Sequence, residues 1–159
     1  MRNFKLSNGD LVLGKSNRLE IVSDEDKLIQ DLKCWLLEPY GTGFMTPNFG
    51  SFLEYPGPRG IVGRQIGTQT EAELSSEIDR ILSLYQAAQQ EKIKLARYNN
   101  NLNIFSRREI LNRIKDIVIS INGTRIDAYN VKITIETASG SELSMSATTG
   151  TEGVSIASS

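Results

Sequence analysis
The chain of 159 residues predicts an α+β fold, with two main helices and a short third helix packed on a C-terminal antiparallel β meander. Two observations predict it. In Leu28–Leu36 and Leu74–Leu95 the apolar residues recur at helical spacing, and from Asp116 onward they alternate with a period of two. Helices followed by consecutive strands, rather than alternating with them, belong to the α+β class. One domain is expected at this length, covering residues 23–149, preceded by an extended arm (1–22) and followed by a flexible Gly/Ser/Ala tail (150–159).

The arm carries a turn signal at Asn8-Gly9-Asp10 among Leu6, Leu11 and Leu13, followed by Leu19, Ile21 and Val22. This reads as an extended segment with a short hairpin. The first helix is expected to start at Ser23, with Asp26 three residues on as its capping partner and Asp24 to Asp26 at the positive end of the dipole. Leu28, Ile29, Leu32, Trp35 and Leu36 then form one buried stripe, and Pro39 and Gly41 end the helix.

Between Pro39 and Gly67 the chain gathers all four of its prolines, seven of its thirteen glycines and five of its eleven aromatic side chains. A loop of this length is usually functional or disordered, and disordered segments are poor in aromatics. Its rings are expected to be buried, under the chain's own helices or in a partner. The loop is therefore the first candidate for function.

Thr70-Gln-Thr-Glu73 has the pattern of a capping box and opens a helix expected to run to about Tyr98. Its apolar positions Leu74, Ile78, Ile81, Tyr85, Ala88 and Leu95 step as a heptad seam, with Lys92 as the polar intrusion. About 28 residues make roughly 42 Å of helix, more than a compact domain of this size is expected to cover, so a partner helix is expected on the far end of the seam. Ser106-Arg-Arg-Glu109 repeats the capping pattern and predicts a short helix to about Lys115. Arg107, Arg108 and Arg113 form a small basic cluster, read as solvated surface with an acidic partner patch as the alternative.

In the meander, Ile117, Ile119 and Ile121 alternate up to an Asn122-Gly123 turn. Val131, Ile133 and Ile135 follow on the next strand, then Leu143, Met145 and Ala147 after a turn at Ser139-Gly140-Ser141. Ile126 falls on the opposite parity to Val131, which places a bulge near Asp127–Asn130. The last strand, Leu143–Thr148, carries no charge or proline. Natural edges are usually protected, so this edge is expected either to accept a partner's strand or to be covered by the N-terminal arm.

Composition excludes much chemistry. There is no histidine and one cysteine, Cys34. That removes Ser/His and Cys/His nucleophile pairs, an internal disulfide, and zinc or iron–sulfur sites. No GxxxxGK[ST] or GxGxxG motif is present for nucleotide phosphates. A net charge of −1 gives no general attraction to nucleic acid. No apolar run is long enough for a membrane span. No catalytic residue, metal or cofactor is expected.

The segment Gly41-Thr-Gly43-Phe-Met-Thr-Pro47-Asn48-Phe49-Gly50 after an apolar helix, a long second helix, SRREIL and a terminal meander together resemble a known family: the small baseplate wedge, or sheath-initiator, proteins of contractile phage tails and related injection machines. The resemblance covers roughly Leu28 to Thr148, and its most specific part is the P-x-F-G element at Pro47, Phe49 and Gly50. Thr42 and Phe44 stand where the family commonly carries a charged pair. Gly57-Pro58-Arg59 and Arg107-Arg108-Glu109 are partial echoes of its Glu-Pro-Arg element.

The resemblance implies a virion protein of the inner baseplate, made in the host cytoplasm and present in several copies around a six-fold tail. Its implied partners are wedge proteins along Leu74–Leu95, tail sheath subunits at the strands carrying Val131, Ile133, Leu143 and Met145, and the tail tube or hub. Some relatives were once described as lysozymes. Glu38 and Glu54 are the only carboxylates placed to act as a glycosidase pair, and nothing in the sequence joins them. A stand-alone adaptor or anti-adaptor of similar fold and a cell-wall glycosidase remain as alternative functions.

Overall fold
The computed structural model describes residues 3–7, 10–42, 49–53, 60, 64, 67–100, 105–124, 128–150 and 153–158. Short strands β1 (Asn3–Phe4), β2 (Leu6–Ser7), β3 (Asp10–Leu11) and β4 (Ile21–Val22) precede helix α1 (Asp24–Leu37). Helix α2 (Thr68–Tyr98) follows the loop region, and strands β5 (Leu111–Ile121), β6 (Tyr129–Thr137), β7 (Glu142–Gly150) and β8 (Gly153–Ser158) complete the chain. Three antiparallel sheets result: β1–β4, β2–β3, and a four-stranded sheet in the order β5-β6-β7-β8.

The expected architecture therefore needs correction in three places. The third helix is absent. Arg107–Glu109 is a single 3₁₀ turn, and the chain is a strand from Leu111. Ser106 does cap this turn, its Oγ accepting from the Arg108 N–H at 3.3 Å. What stops the helix is tertiary. Gln89, buried on α2, donates Nε2 to the Glu109 carbonyl (2.7 Å) and accepts the Leu111 N–H on Oε1 (2.9 Å). A helix needs those same backbone groups for its own ladder, and Ile110, Ile114 and Ile117 favour strand besides.

The second correction concerns the sheet. The meander is one of three sheets, and its third strand is not an edge. The segment read as a flexible tail supplies β8, which pairs with β7 from Gly150↔Gly153 to Met145↔Ser158. Both sides of β7 are thus occupied by this chain. The N-terminal arm pairs within itself instead. The expected bulge near residue 127 lies outside the described residues. Observed register shifts fall in β5, between Leu111 and Arg113 and between Ile114 and Asp116.

The third correction concerns the seam. Leu74, Ile78, Ile81 and Tyr85 are buried in a core shared with Leu28, Leu32 and Leu36 of α1 and with Val131, Ile133, Ile135 and Met145 of the sheet. Cross-strand pairing aligns Ile119, Val131 and Ala147 on the core face, and likewise Ile117, Ile133 and Met145. The helices cover that face, and Lys132, Ser146 and Val118 lie on the exposed one. Each core side chain so covered contributes about 1.5–3 kcal/mol. Seven positions expected to meet partners (Leu74, Ile78, Ile81, Tyr85, Val131, Ile133 and Met145) are consumed by this packing, and Leu143 is half-buried against it.

Helix starts also differ from expectation. Residue Gly67, not Thr70, precedes α2, and the Tyr129 hydroxyl serves that end, accepting the Gly67 N–H at 2.8 Å. Ser23 precedes α1 without a side-chain cap. Glu109, 85 residues away in sequence, accepts the Asp24 N–H at 3.4 Å. Orphan N–H groups at a helix start need such acceptors, and here distant parts of the fold supply them.

Candidate functional site
Helix α2 has 31 residues, roughly 46 Å at 1.5 Å per residue. Its first four turns lie in the core. Its last four leave Leu84, Leu95 and Tyr98 exposed by 41%, 57% and 87%. Spacings of eleven and three residues put these on one helical face. Beside that face a cleft of about 490 Å³ opens between α1 and α2, with Trp35, Tyr85, Ala88, Leu95 and Phe105 as its apolar wall. Lys92 lines the cleft, Lys94 and Arg97 are exposed elsewhere on this half of the helix, and none of the three has an ion-pair partner among the described residues.

The cleft floor is polar and satisfied. Lys27, buried on α1, pairs with Asp31 one turn on at 2.5 Å. Asp31 also accepts from the Tyr85 hydroxyl at 3.5 Å and from Asn3 Nδ2 at 3.3 Å. Burial, and then the Asp31 charge, raise the Tyr85 phenol well above its ordinary pKa. Such a phenol stays protonated and donates a hydrogen bond. It is no general base near neutrality. Gln89 links this floor to the sheet, donating to Tyr85 Oη at 3.3 Å as well as holding Glu109 and Leu111.

Aromatic packing ties the signature loop to this region. The Trp35 ring stands edge-on to Phe49 (centroids 4.4 Å) and to Tyr85 (5.2 Å). Gly41 donates its N–H to the Phe49 carbonyl at 2.9 Å, and Ser51 donates to Glu38 at 2.7 Å. Gly50 has φ +111°. A Cβ there would lie 2.5 Å from the Pro39 carbonyl oxygen, so only glycine fits. Arg80 then fastens the loop to α2, bonding the Gly50 carbonyl at 2.8 Å and Glu77 at 2.7 Å, while Glu77 accepts the Phe52 N–H at 2.8 Å. Tyr40 stacks on Phe52 at 4.4 Å. Rings expected under the chain's own helices or in a partner are, for Phe49 and Phe52, packed at home. Gly43 and Pro47 lie outside the described residues.

Of the expected partner-contacting residues, the structure leaves Leu95 exposed and Ala88 half-exposed on the cleft. Leu84 and Tyr98 were not expected, because they lie off the buried seam. A second apolar stripe on the same helix was their signal. Glu38, half-buried, accepts from the Thr42 hydroxyl at 2.9 Å, and Glu54 lies outside the described residues. Among the described residues no cluster of His, Cys, Asp and Glu could hold a metal ion. No helix there is long and apolar enough to cross a membrane.

Comparisons with protein-family models, curated proteins and solved structures return no match.

Proposed function
We propose that the chain is a non-enzymatic structural subunit of a contractile-tail baseplate, which joins neighbouring wedge proteins through the C-terminal half of α2. The observation that carries this reading is the exposed Leu84–Leu95–Tyr98 stripe beside the apolar cleft, which Lys92 also lines. An apolar face with this exposure, on a helix whose other face is already buried, supports docking of another macromolecule. It takes over the role first expected of the whole seam.

The sheet supports a second contact in the same assembly. Strand β5 is an edge guarded by Arg113, Lys115, Asp116 and two register shifts. The opposite edge, β8, has neither charge nor proline in Gly153–Ser158. A strand donated by a sheath subunit would therefore add at β8 rather than at β7.

The test is assembly in the cell that makes the particle. A Leu84→Asp/Leu95→Asp variant should fold, with an unchanged circular dichroism spectrum, yet be missing from purified particles. Normal incorporation of that variant would refute the reading. Purified chain that releases reducing sugar from peptidoglycan, with the release lost in Glu38→Gln, would favour the glycosidase instead.

A further inference from the structure
Every group on the polar cleft floor has a partner, yet Lys27 has capacity to spare. An ammonium carries three donors, and among the described residues Asp31 alone accepts from it, at 2.5 Å. Lys27 is 4% exposed and lines the cleft. Its other donors are thus withdrawn from bulk water and left to the cavity.

Helix formation does not account for this lysine. It follows Asp24, Glu25 and Asp26 at the start of α1, where the helix dipole favours acids over cations. Its pairing with Asp31 runs from Lys to Asp at i,i+4, the weaker orientation on a helix. A buried cation is costly unless its protons find acceptors.

The rest of the cleft is apolar and held in place. Trp35 stands edge-on to both Phe49 and Tyr85, and Ala88, Leu95 and Phe105 extend the wall. The volume of about 490 Å³ lies within the ~300–1,000 Å³ of small-ligand sites. The charged residues on its lining are Lys27, Asp31 and Lys92, so an occupant bearing one negative charge balances them.

We propose that the cleft binds a monocarboxylate on an apolar stem, with the carboxylate on the remaining donors of Lys27 and the stem against Trp35, Ala88, Leu95 and Phe105. Lys92, exposed on the same lining, adds attraction for the anion. An amine fits poorly, because the Asp31 oxygens already receive Lys27, Tyr85 and Asn3. A phosphate would set its second charge beside the Asp31 carboxylate. A free acid and the C-terminal carboxylate of an apolar peptide share the chemistry that fits. This site rests on the cleft alone and is independent of the baseplate reading.

The experiment uses Trp35, the single tryptophan of the chain, as a fluorescent reporter inside the cleft. Octanoate, octanol and octylammonium are titrated into the isolated full chain, so the result does not depend on incorporation into particles. Octanoate should give a saturable change and bind about tenfold more tightly than octanol, as a hydrogen bond to a charged group provides, with octylammonium weakest. N-acetyl-leucyl-leucine and its C-terminal amide form the second arm. A preference for the acid in that arm alone would assign the carboxylate to a peptide terminus. Lys27→Met/Asp31→Leu removes the ion pair together and leaves no buried charge alone; it should still bind octanol but lose the preference for the acid. Lys92→Gln, at an exposed position, tests the same charge preference without touching the core and should weaken octanoate about twofold at low salt while leaving octanol unchanged. No saturable change with either acid, no preference for the acid in either arm, tightest binding of octylammonium, or a preference unaltered by both variants would each overturn the proposal.

Discussion

Replacing Gln89 by Leu tests how the helical layer holds the start of the sheet. The amide of Gln89 serves as a two-point clamp, giving a hydrogen to Glu109 O and taking one from Leu111 N at 2.7 and 2.9 Å. Gln89 is 4% exposed, Glu109 1% and Leu111 fully buried. Leucine has nearly the same volume, so the substitution opens little cavity and isolates the hydrogen-bond loss. A buried donor and a buried acceptor left unmatched cost about 1–3 kcal/mol each. With partial relief from water entering the cleft, about 3 kcal/mol is expected. In a domain of this size that lowers Tm by roughly 6–12 °C. Thermal and urea unfolding followed by circular dichroism measure it, with exposed Gln90→Leu as the control, expected within about 0.5 kcal/mol of the parent. A loss below about 1 kcal/mol for Gln89→Leu, equal to that of the control, would show that the clamp contributes nothing and that β5 is held by its strand pairing alone.

Other consequences follow from the same geometry. Gly50→Ala should destabilise the domain by about 2 kcal/mol or more through its positive φ and the Pro39 contact, and proteolysis of the signature loop should accelerate. Ile81→Asp should unfold the chain, because an unpaired carboxylate in the core costs several kcal/mol, whereas Leu95→Asp should leave Tm within a few degrees; the two melts compared side by side decide whether α2 is divided as described. Folding raises the Tyr85 pKa, so the protonated phenol is favoured in the native state. Its contribution is full below the unfolded value near 10 and falls as pH rises beyond it. Tyr85→Phe should therefore flatten the stability curve at alkaline pH, and an unchanged slope would contradict the burial assigned to this ring.

How much of this was legible beforehand depends on the range of the interaction. The α1 stripe from Leu28 to Leu36 and the alternation of Val131, Ile133 and Ile135 were readable, because a single face of a helix or strand repeats in the local sequence. The helix expected at Ser106–Lys115 was not, since its capping pattern is real but Gln89 and Asp24 compete for the same backbone and carboxylate. Two glutamines, Gln30 and Gln89, each hold a remote backbone segment, and an isolated Gln carries no periodic mark.

The amino-acid order alone determined which faces of α1, β6 and β7 are apolar, because that depends on near neighbours. Only tertiary structure decided which apolar faces meet each other. Leu74 to Tyr85 found partners in α1 and the sheet, while Leu84, Leu95 and Tyr98 of α2 were left exposed. Hydrophobic side chains carry the same signal whether their partner belongs to the same chain or to another, so only the packed structure separates core from contact surface.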